Sequence, residues 1–330
     1  MCTAVTYRTK DTYFGRTLDH TCSYGEAVVA VPRNMPIPLR HVPGLQRHHA
    51  IIGMAHMEAG FPLYYDAVNE KGLGMAGLNF VGYAAYGDRV SGKDNLAHFE
   101  LIPWILGQCS SVREARVLLD RLNLTREAFS ETLEPAQLHW IIADRQEAVT
   151  VESLPQGLRV WDNPVGVLTN NPPFEDQMLH LSNFMQLSAE EPRNLFSEKL
   201  HLKPYSLGMG AMGLPGDYSS QSRFVRAAFV KLNSRSGEGE MESVSQFFHI
   251  LASVAQPRGC TRTAEGTYET TLYSSCCNLD RGIYYYTTYD YRRISAVDLH
   301  RCDPEGTTAR VYPLNTEERI NWHGENRIGS

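Results

Sequence analysis

No apolar run in this sequence is long enough to span a bilayer. Residues 1–30 also lack the apolar stretch of a secretory leader and carry Arg8, Lys10, Asp11, Arg16, Asp19 and Glu26 instead. A cytoplasmic chain with no membrane partner is therefore expected. There is no basic excess: 31 Lys and Arg stand against 37 Asp and Glu, a formal net charge of −6. That balance argues against nucleic acid as a partner, although a local pocket can still take an anionic substrate. The 7 cysteines, at positions 2, 22, 109, 260, 276, 277 and 302, include no Cys-x-x-Cys pair. Neither a zinc framework nor a disulfide scaffold is indicated. The histidines are scattered without zinc spacing, and Gly72-Leu73-Gly74 and Gly208-Met209-Gly210 lack the length of a phosphate loop. No metal and no cofactor is expected. Internal repeats and alternating βαβ units are missing as well.

What remains is a globular composition, 42% hydrophobic and 21% charged over 330 residues. No composition break demands a second domain, so a single domain over 1–330 is expected, with the polar residues 314–330 as a loosely ordered tail. The first third reads as strands: Ala4–Arg8 and Tyr13–Arg16 form a hairpin around Lys10-Asp11, then come Ala27–Val31, Ile51–Met54, Leu63–Val68 and Gly74–Val81. Helical spacing follows over Phe99–Gln108 and from Val112 through Leu122, where Ser111 and Glu114 have capping-box spacing. Strands return over Leu138–Ala143, Ala148–Glu152, Leu158–Trp161 and Val165–Thr169. Phe174–Leu187, Gln221–Leu232 and Glu242–Ala255 read as helices, separated by a long irregular segment over 188–220. The end is β again: Tyr268–Cys276, Ile283–Tyr291 and Ile294–Leu299. Two antiparallel sheets with helices outside them fit this order.

The reactive feature is Cys2, directly behind Met1. If Met1 is removed, Cys2 carries a thiol and a free α-amino group a few bonds apart. Such an amino group has a pKa of about 8, so a useful fraction is neutral and can take the thiol proton without a histidine. Cysteine is also commonly a small buried hydrophobe, and position alone does not decide between the two. Arg16 and Asp19 fall three apart, at or just past the strand that pairs with Cys2. An arginine beside a thiol favours the thiolate, and a carboxylate can orient an α-ammonium group; an exposed turn ion pair is the plain alternative. Asn79 and the run Asn170-Asn171-Pro172-Pro173 offer oxyanion donors, or in the second case a strand stop and turn. Arg223 falls in the first turn of a helix, where a solvated side chain is equally compatible.

Taken in order, Met1-Cys2-Thr3, Phe14-Gly15-Arg16-Thr17-Leu18-Asp19, Asn69-Glu70-Lys71-Gly72-Leu73-Gly74-Met75-Ala76-Gly77-Leu78-Asn79, Leu138-His139-Trp140-Ile141-Ile142-Ala143-Asp144, Val167-Leu168-Thr169-Asn170-Asn171-Pro172 and Leu214-Pro215-Gly216-Asp217-Tyr218 resemble the choloylglycine hydrolase family, the bile salt hydrolases and penicillin V acylases. The resemblance covers nearly the whole chain. It implies an α+β fold, the four-layer αββα sandwich of the N-terminal nucleophile hydrolases, with two antiparallel sheets between helical layers. It further implies cofactor-free hydrolysis of linear amides and a homotetramer. By position, Cys2 is the nucleophile once Met1 alone has been removed. Asp19 binds the α-amino group, and Arg16 lies beside the thiol. Asn79 through its backbone N–H and Asn170 through its side chain form the oxyanion hole, and Arg223 supports the charge network. The small-molecule substrate is amphipathic, a conjugated bile salt, and its acyl part needs an apolar pocket; Tyr24, Phe61, Leu63, Tyr65, Phe129 and Leu133 are candidate walls. Asn79 favours bile salts, since penicillin V acylases tend to carry tyrosine there, and penicillin V or a related N-acyl amide is the alternative substrate. Thr17 departs from the pattern, standing where many members carry asparagine.

Overall fold

The computed structural model of the chain describes residues 1–318, 320, 322 and 323. The chain begins with β1 (Cys2–Arg8), β2 (Thr12–His20), β3 (Ala27–Val31), β4 (Ile51–Glu58), β5 (Phe61–Asn69) and β6 (Gly74–Asn79). A short β7 (Asp94–Ala97) leads through a 3-10 turn into α1 (Leu101–Gln108) and α2 (Val112–Leu119), and β8 (Leu122–Thr125) pairs with β7 in parallel. Then come β9 (Leu138–Ala143), β10 (Ala148–Leu154), β11 (Gly157–Asp162), β12 (Val167–Leu168), α3 (Phe174–Leu181), α4 (Ser220–Asn233) and α5 (Glu240–Ala252). The chain closes with β13 (Thr270–Asn278), β14 (Ile283–Thr288), β15 (Tyr291–Asp298) and β16 (Arg310–Pro313).

Two antiparallel sheets carry the fold. One has six strands in the order β12-β1-β2-β13-β14-β15, and the other has eight in the order β11-β10-β9-β6-β5-β4-β3-β16. Period-two alternation assigns each face of the larger sheet. Val28, Ala30, Ile52, Ala76, Leu78, Ile141 and Ala143 point to the smaller sheet, whose other face is covered by Phe224, Ala227, Phe247 and Leu251 of α4 and α5. Val29, Val31, Ile51, Met75, Trp140 and Ile142 point the opposite way, against Leu101, Ile105, Leu106 and Val112 of α1 and α2. The layers therefore run helix, sheet, sheet, helix, as expected. Because both faces of the smaller sheet are covered, β2 is buried over almost its whole length, charged residues included.

Several boundaries differ from the periodicity reading. The helix expected to run through Leu122 ends at Leu119; Leu122 opens a strand in which Leu122 and Leu124 are buried. The three-residue step from Leu119 to Leu122 suits a helix, but the alternation Leu122-Asn123-Leu124 prevails. The helix expected over Phe174–Leu187 stops at Leu181 and tightens into a 3-10 turn at Ser182–Phe184. Strand β16, not anticipated, pairs with β3. Of the expected tail over 314–330, Leu314 packs on the core and the Asn315 carbonyl accepts a 2.7 Å hydrogen bond from Thr288; residues 319, 321 and 324–330 lie outside the described residues. No helix among the described residues is long and apolar enough to cross a membrane.

Candidate active site

Cys2 is the first residue of β1 and faces Leu18 of β2 in register. That pairing brings Arg16 and Asp19, both fully buried inside β2 rather than in an exposed turn, to the same end of the sheet. The approach of β2 to β13 needs Gly15: a Cβ there would lie 2.0 Å from the Ser275 carbonyl oxygen. With Met1 attached, the Cys2 nitrogen is an amide and donates to Asn170 Oδ1 at 2.8 Å. The Met1 ammonium donates to the Asp19 carbonyl at 2.6 Å and to Glu269 Oε2 at 2.5 Å.

Asn170 follows β12, the edge neighbour of β1, and its amide joins the other elements. Oδ1 also accepts from Arg223 at 2.7 Å, and Nδ2 donates to the Asn79 carbonyl at 2.8 Å. Asn79 ends β6, so this one side chain links the two sheets. Arg223, in the first turn of α4 and fully buried, also donates to the Cys2 carbonyl at 2.5 Å and to Thr3 Oγ1 at 2.6 Å. Gln177 of α3 donates to the Asn171 carbonyl at 3.2 Å, and Ser220 Oγ accepts the Asn170 N–H at 2.8 Å, fixing the loop from its other side.

The electrostatics are those of charges taken out of water but kept in a network. Burial pushes the Asp19 carboxyl above its usual range, opposed by Arg223, the terminal ammonium, the Thr271 hydroxyl and Arg16. Thr271 donates to Oδ1 of Asp19 at 2.6 Å, and Thr17 donates to Oδ2 at 3.3 Å. Burial likewise lowers the Arg223 pKa, with Asp19 and Cys2 pulling the other way. For Arg16 burial also opposes the charge, but Cys2, Tyr273, Asp66 and Asp19 outweigh it and the pKa rises. Arg16 donates to the carbonyls of Gly77 and Tyr65, at 2.5 and 3.2 Å, while its second terminal nitrogen has no hydrogen-bond partner. Asp66, fully buried on β5, accepts from Tyr273 at 2.5 Å, Tyr284 at 2.7 Å and Ser275 at 2.9 Å. Nothing local in the sequence marks Asp66, Thr271 or Tyr273, whose partners lie far along the chain. Thr17, which stands out in the sequence only as a departure from the family pattern, lies two residues from Asp19 on a strand, a usable signal for this contact.

A cavity of about 420 Å³ opens above Cys2. Arg16 and Asn79 line it with Cys2, and so do Tyr24, Leu63, Tyr65, Phe129 and Leu133. Phe61 stands behind this wall, buried and packed against Phe99 and Phe129 at 5.8 and 5.9 Å between ring centroids. Asp19, Asn170 and Arg223 are not among its lining residues. A second cavity of about 440 Å³ beyond His20, with Arg258 and Tyr268, is not lined by Cys2. Among the described residues no three or more His, Cys, Asp or Glu side chains are grouped to hold a metal.

The chain has counterparts among known proteins along nearly its whole length. The sequence pattern of the linear amide C–N hydrolases, choloylglycine hydrolase family, matches residues 2–311. A bile salt hydrolase/transferase of Lactiplantibacillus plantarum is 53% identical over 317 residues, covering 96% of this chain and 98% of that protein. A crystal structure of a conjugated bile acid hydrolase from Clostridium perfringens superposes with a TM-score of 0.91 at 34% identity, covering 98% of this chain and 100% of the other. Penicillin V acylase from Agrobacterium tumefaciens shares the fold, with a TM-score of 0.76 at 17% identity over 97% of this chain and 100% of the other. The architecture is thus the αββα sandwich of the N-terminal nucleophile hydrolases, and this chain belongs to the choloylglycine hydrolase family of linear amide C–N hydrolases.

Proposed function

We propose that this chain is a conjugated bile salt hydrolase, cleaving the amide between a bile acid acyl group and glycine or taurine with Cys2 as nucleophile. The carrying observation is Cys2 at the floor of a largely apolar cavity, flanked by Arg16 and Asn79 and tied from behind to Asn170 and Arg223. An amphipathic acid buries its apolar body in such a cavity and leaves its conjugated end at the polar mouth. The names of the relatives point the same way.

In this reading removal of Met1 converts the Cys2 amide into an α-amine, beside Asn170 and within the field of Asp19. The amine takes the thiol proton, and the thiolate attacks the amide carbonyl. The resulting oxyanion is held by the Asn79 backbone N–H and by Asn170 Nδ2, whose amide has a second hydrogen besides the one given to the Asn79 carbonyl. The ammonium returns the proton to the leaving nitrogen, glycine or taurine departs, and a thioester remains on Cys2. Water, deprotonated by the same amine, releases the bile acid. Arg16 favours the thiolate, Asp19 orients the amine, and Arg223 keeps Asn170 aimed.

The same proposal takes the enzyme as a cytoplasmic homotetramer with one catalytic domain. Its support is the exposed apolar segment Leu195, Phe196, Tyr205 and Leu207, a surface of the kind that a second copy covers. Parallel assays of glycocholate, taurocholate and penicillin V test the substrate: faster cleavage of either bile salt is expected, and a preference for penicillin V would replace this reading.

A further inference from the structure

His139 sits on β9 opposite Leu78 of β6, and its side chain and that of Glu152 on β10 are fully buried. Both ring nitrogens face acceptors: Nε2 lies 2.9 Å from the Thr169 carbonyl oxygen and Nδ1 lies 3.1 Å from Oε1 of Glu152. A carbonyl oxygen only accepts, so Nε2 carries a hydrogen. Glu152 is itself ringed by donors, with the Phe174 N–H at 2.9 Å from Oε1 and the Trp161 indole N–H at 3.1 Å from Oε2. One hydrogen must therefore lie between Nδ1 and Oε1, and the two N–H donors already pointing at the Glu152 carboxylate favour its place on the ring. A ring protonated on both nitrogens is an imidazolium.

Stability alone is a weak reason to bury an ion pair, since apolar side chains of similar volume often serve as well. What the pair touches supplies another reason. The His139 ring stacks on Phe80, with centroids 4.3 Å apart and planes 7° apart, and Phe80 directly follows Asn79. Thr169, whose carbonyl the ring binds, directly precedes Asn170. Glu152 meanwhile holds the first N–H of α3, beyond the Asn171-Pro172-Pro173 stretch. One buried ring is thus fastened to both chain segments that carry the oxyanion donors. We propose that His139, as an imidazolium paired with Glu152, is a positioning residue that keeps Asn79 and Asn170 in mutual register for the tetrahedral intermediate. This rests on the assignment of those two residues as the oxyanion donors.

The test joins a spectrum to kinetics on the full-length mature protein. With ¹⁵N-labelled histidine, the His139 signal at neutral pH should show both ring nitrogens protonated; a bare ring nitrogen overturns the proposal. In His139→Gln, an amide can still reach Thr169, but the charge and the stacked ring are lost. Its kcat on glycocholate, per thiol titrated at Cys2, should fall roughly tenfold with KM nearly unchanged, a smaller loss than the hundredfold or more for deleting an oxyanion donor. Counting only titrated sites removes any loss through misfolding, so an unchanged kcat per site overturns the proposal. If His139→Gln does not fold, Glu152→Gln takes its place, with the same kinetic expectation and with His139 reduced to one ring hydrogen. Failure of the wild-type enzyme to cleave glycocholate would instead refute the bile salt reading; the spectrum would still decide the charge on His139, and penicillin V would serve as the kinetic substrate.

Discussion

An amide nitrogen has no basic lone pair, so the Cys2 nitrogen that donates to Asn170 in the Met1-bearing chain cannot take a proton from the thiol. Chemistry at this site is then a property of a residue's place in the chain as much as of its side chain. Cys2→Ser in the Met1-free enzyme should lower amide cleavage about a thousandfold or more while leaving the thermal melt nearly unchanged; full activity would end the account of the nucleophile. Asn170→Ala removes a donor and also unties Arg223 from Asn79, so kcat should drop about a hundredfold with a smaller change in KM. His98, on the cavity wall, gives a pH signature. Burial, with Arg40 nearby, lowers its pKa from 6.5 to about 4. Between those values the unfolded chain binds a proton that the folded chain refuses. Stability is therefore lost as pH falls through that window, by about 3 kcal/mol at most. His98→Gln, which can still accept the Ala136 N–H, should flatten this acid limb in urea melts, and parallel limbs for the two proteins would contradict the assignment. Cys2, Arg16, Asp19, Asn79 and Asn170 stand inside short motifs of the sequence and Arg223 just past the last of them, Leu214-Pro215-Gly216-Asp217-Tyr218, so all could be picked out. Asp66 and Thr271 could not, since a lone Asp on one strand and a lone Thr on another announce nothing until β2 and β13 pair.

At the level of elements, local chemistry set the type of each segment more firmly than its ends. Ser111 accepts the Glu114 N–H at 3.2 Å as the spacing indicated, but the Glu114 carboxylate reaches back to the N–H of Ser110 at 2.6 Å, one residue earlier than an ideal capping box. Ser111→Ala should cost about 1 kcal/mol in chemical denaturation, and no change would mean that Glu114 caps α2 alone. Gly15 is the opposite case, a residue whose need is invisible locally. The backbone of β13 fills the place of its Cβ, so Gly15→Ala should destabilise the chain by about 3 kcal/mol; a neutral effect in the same measurement would show that β2 and β13 can separate cheaply. The burial of Arg16 and Asp19 was hidden for a related reason. A Gly-Arg-Thr-Leu-Asp stretch reads as a strand end in water, and becomes an interior network only because the smaller sheet is covered on both faces.

For the whole molecule, the two sheets bring the Cys2 end of β1 against the end of β6, and the α1 side of the larger sheet closes the cavity above them. The order of strands and helices revealed this layering, but not which loops would stand exposed. Phe196 and Leu207 are 83% and 90% exposed in the long segment between α3 and α4. If the proposed homotetramer forms through this segment, replacing both with glutamate should shift the protein toward smaller species in sedimentation velocity, and an unshifted distribution would contradict that placement of the interface. The central claim, that Cys2 works as a new N-terminus, is tested most directly by intact-mass spectrometry of the active enzyme, acid-quenched during turnover of glycocholate. The account predicts a chain lacking Met1 and carrying one bile acyl group as a thioester on Cys2. Active protein that retains Met1, or an acyl group on any other residue, would contradict it.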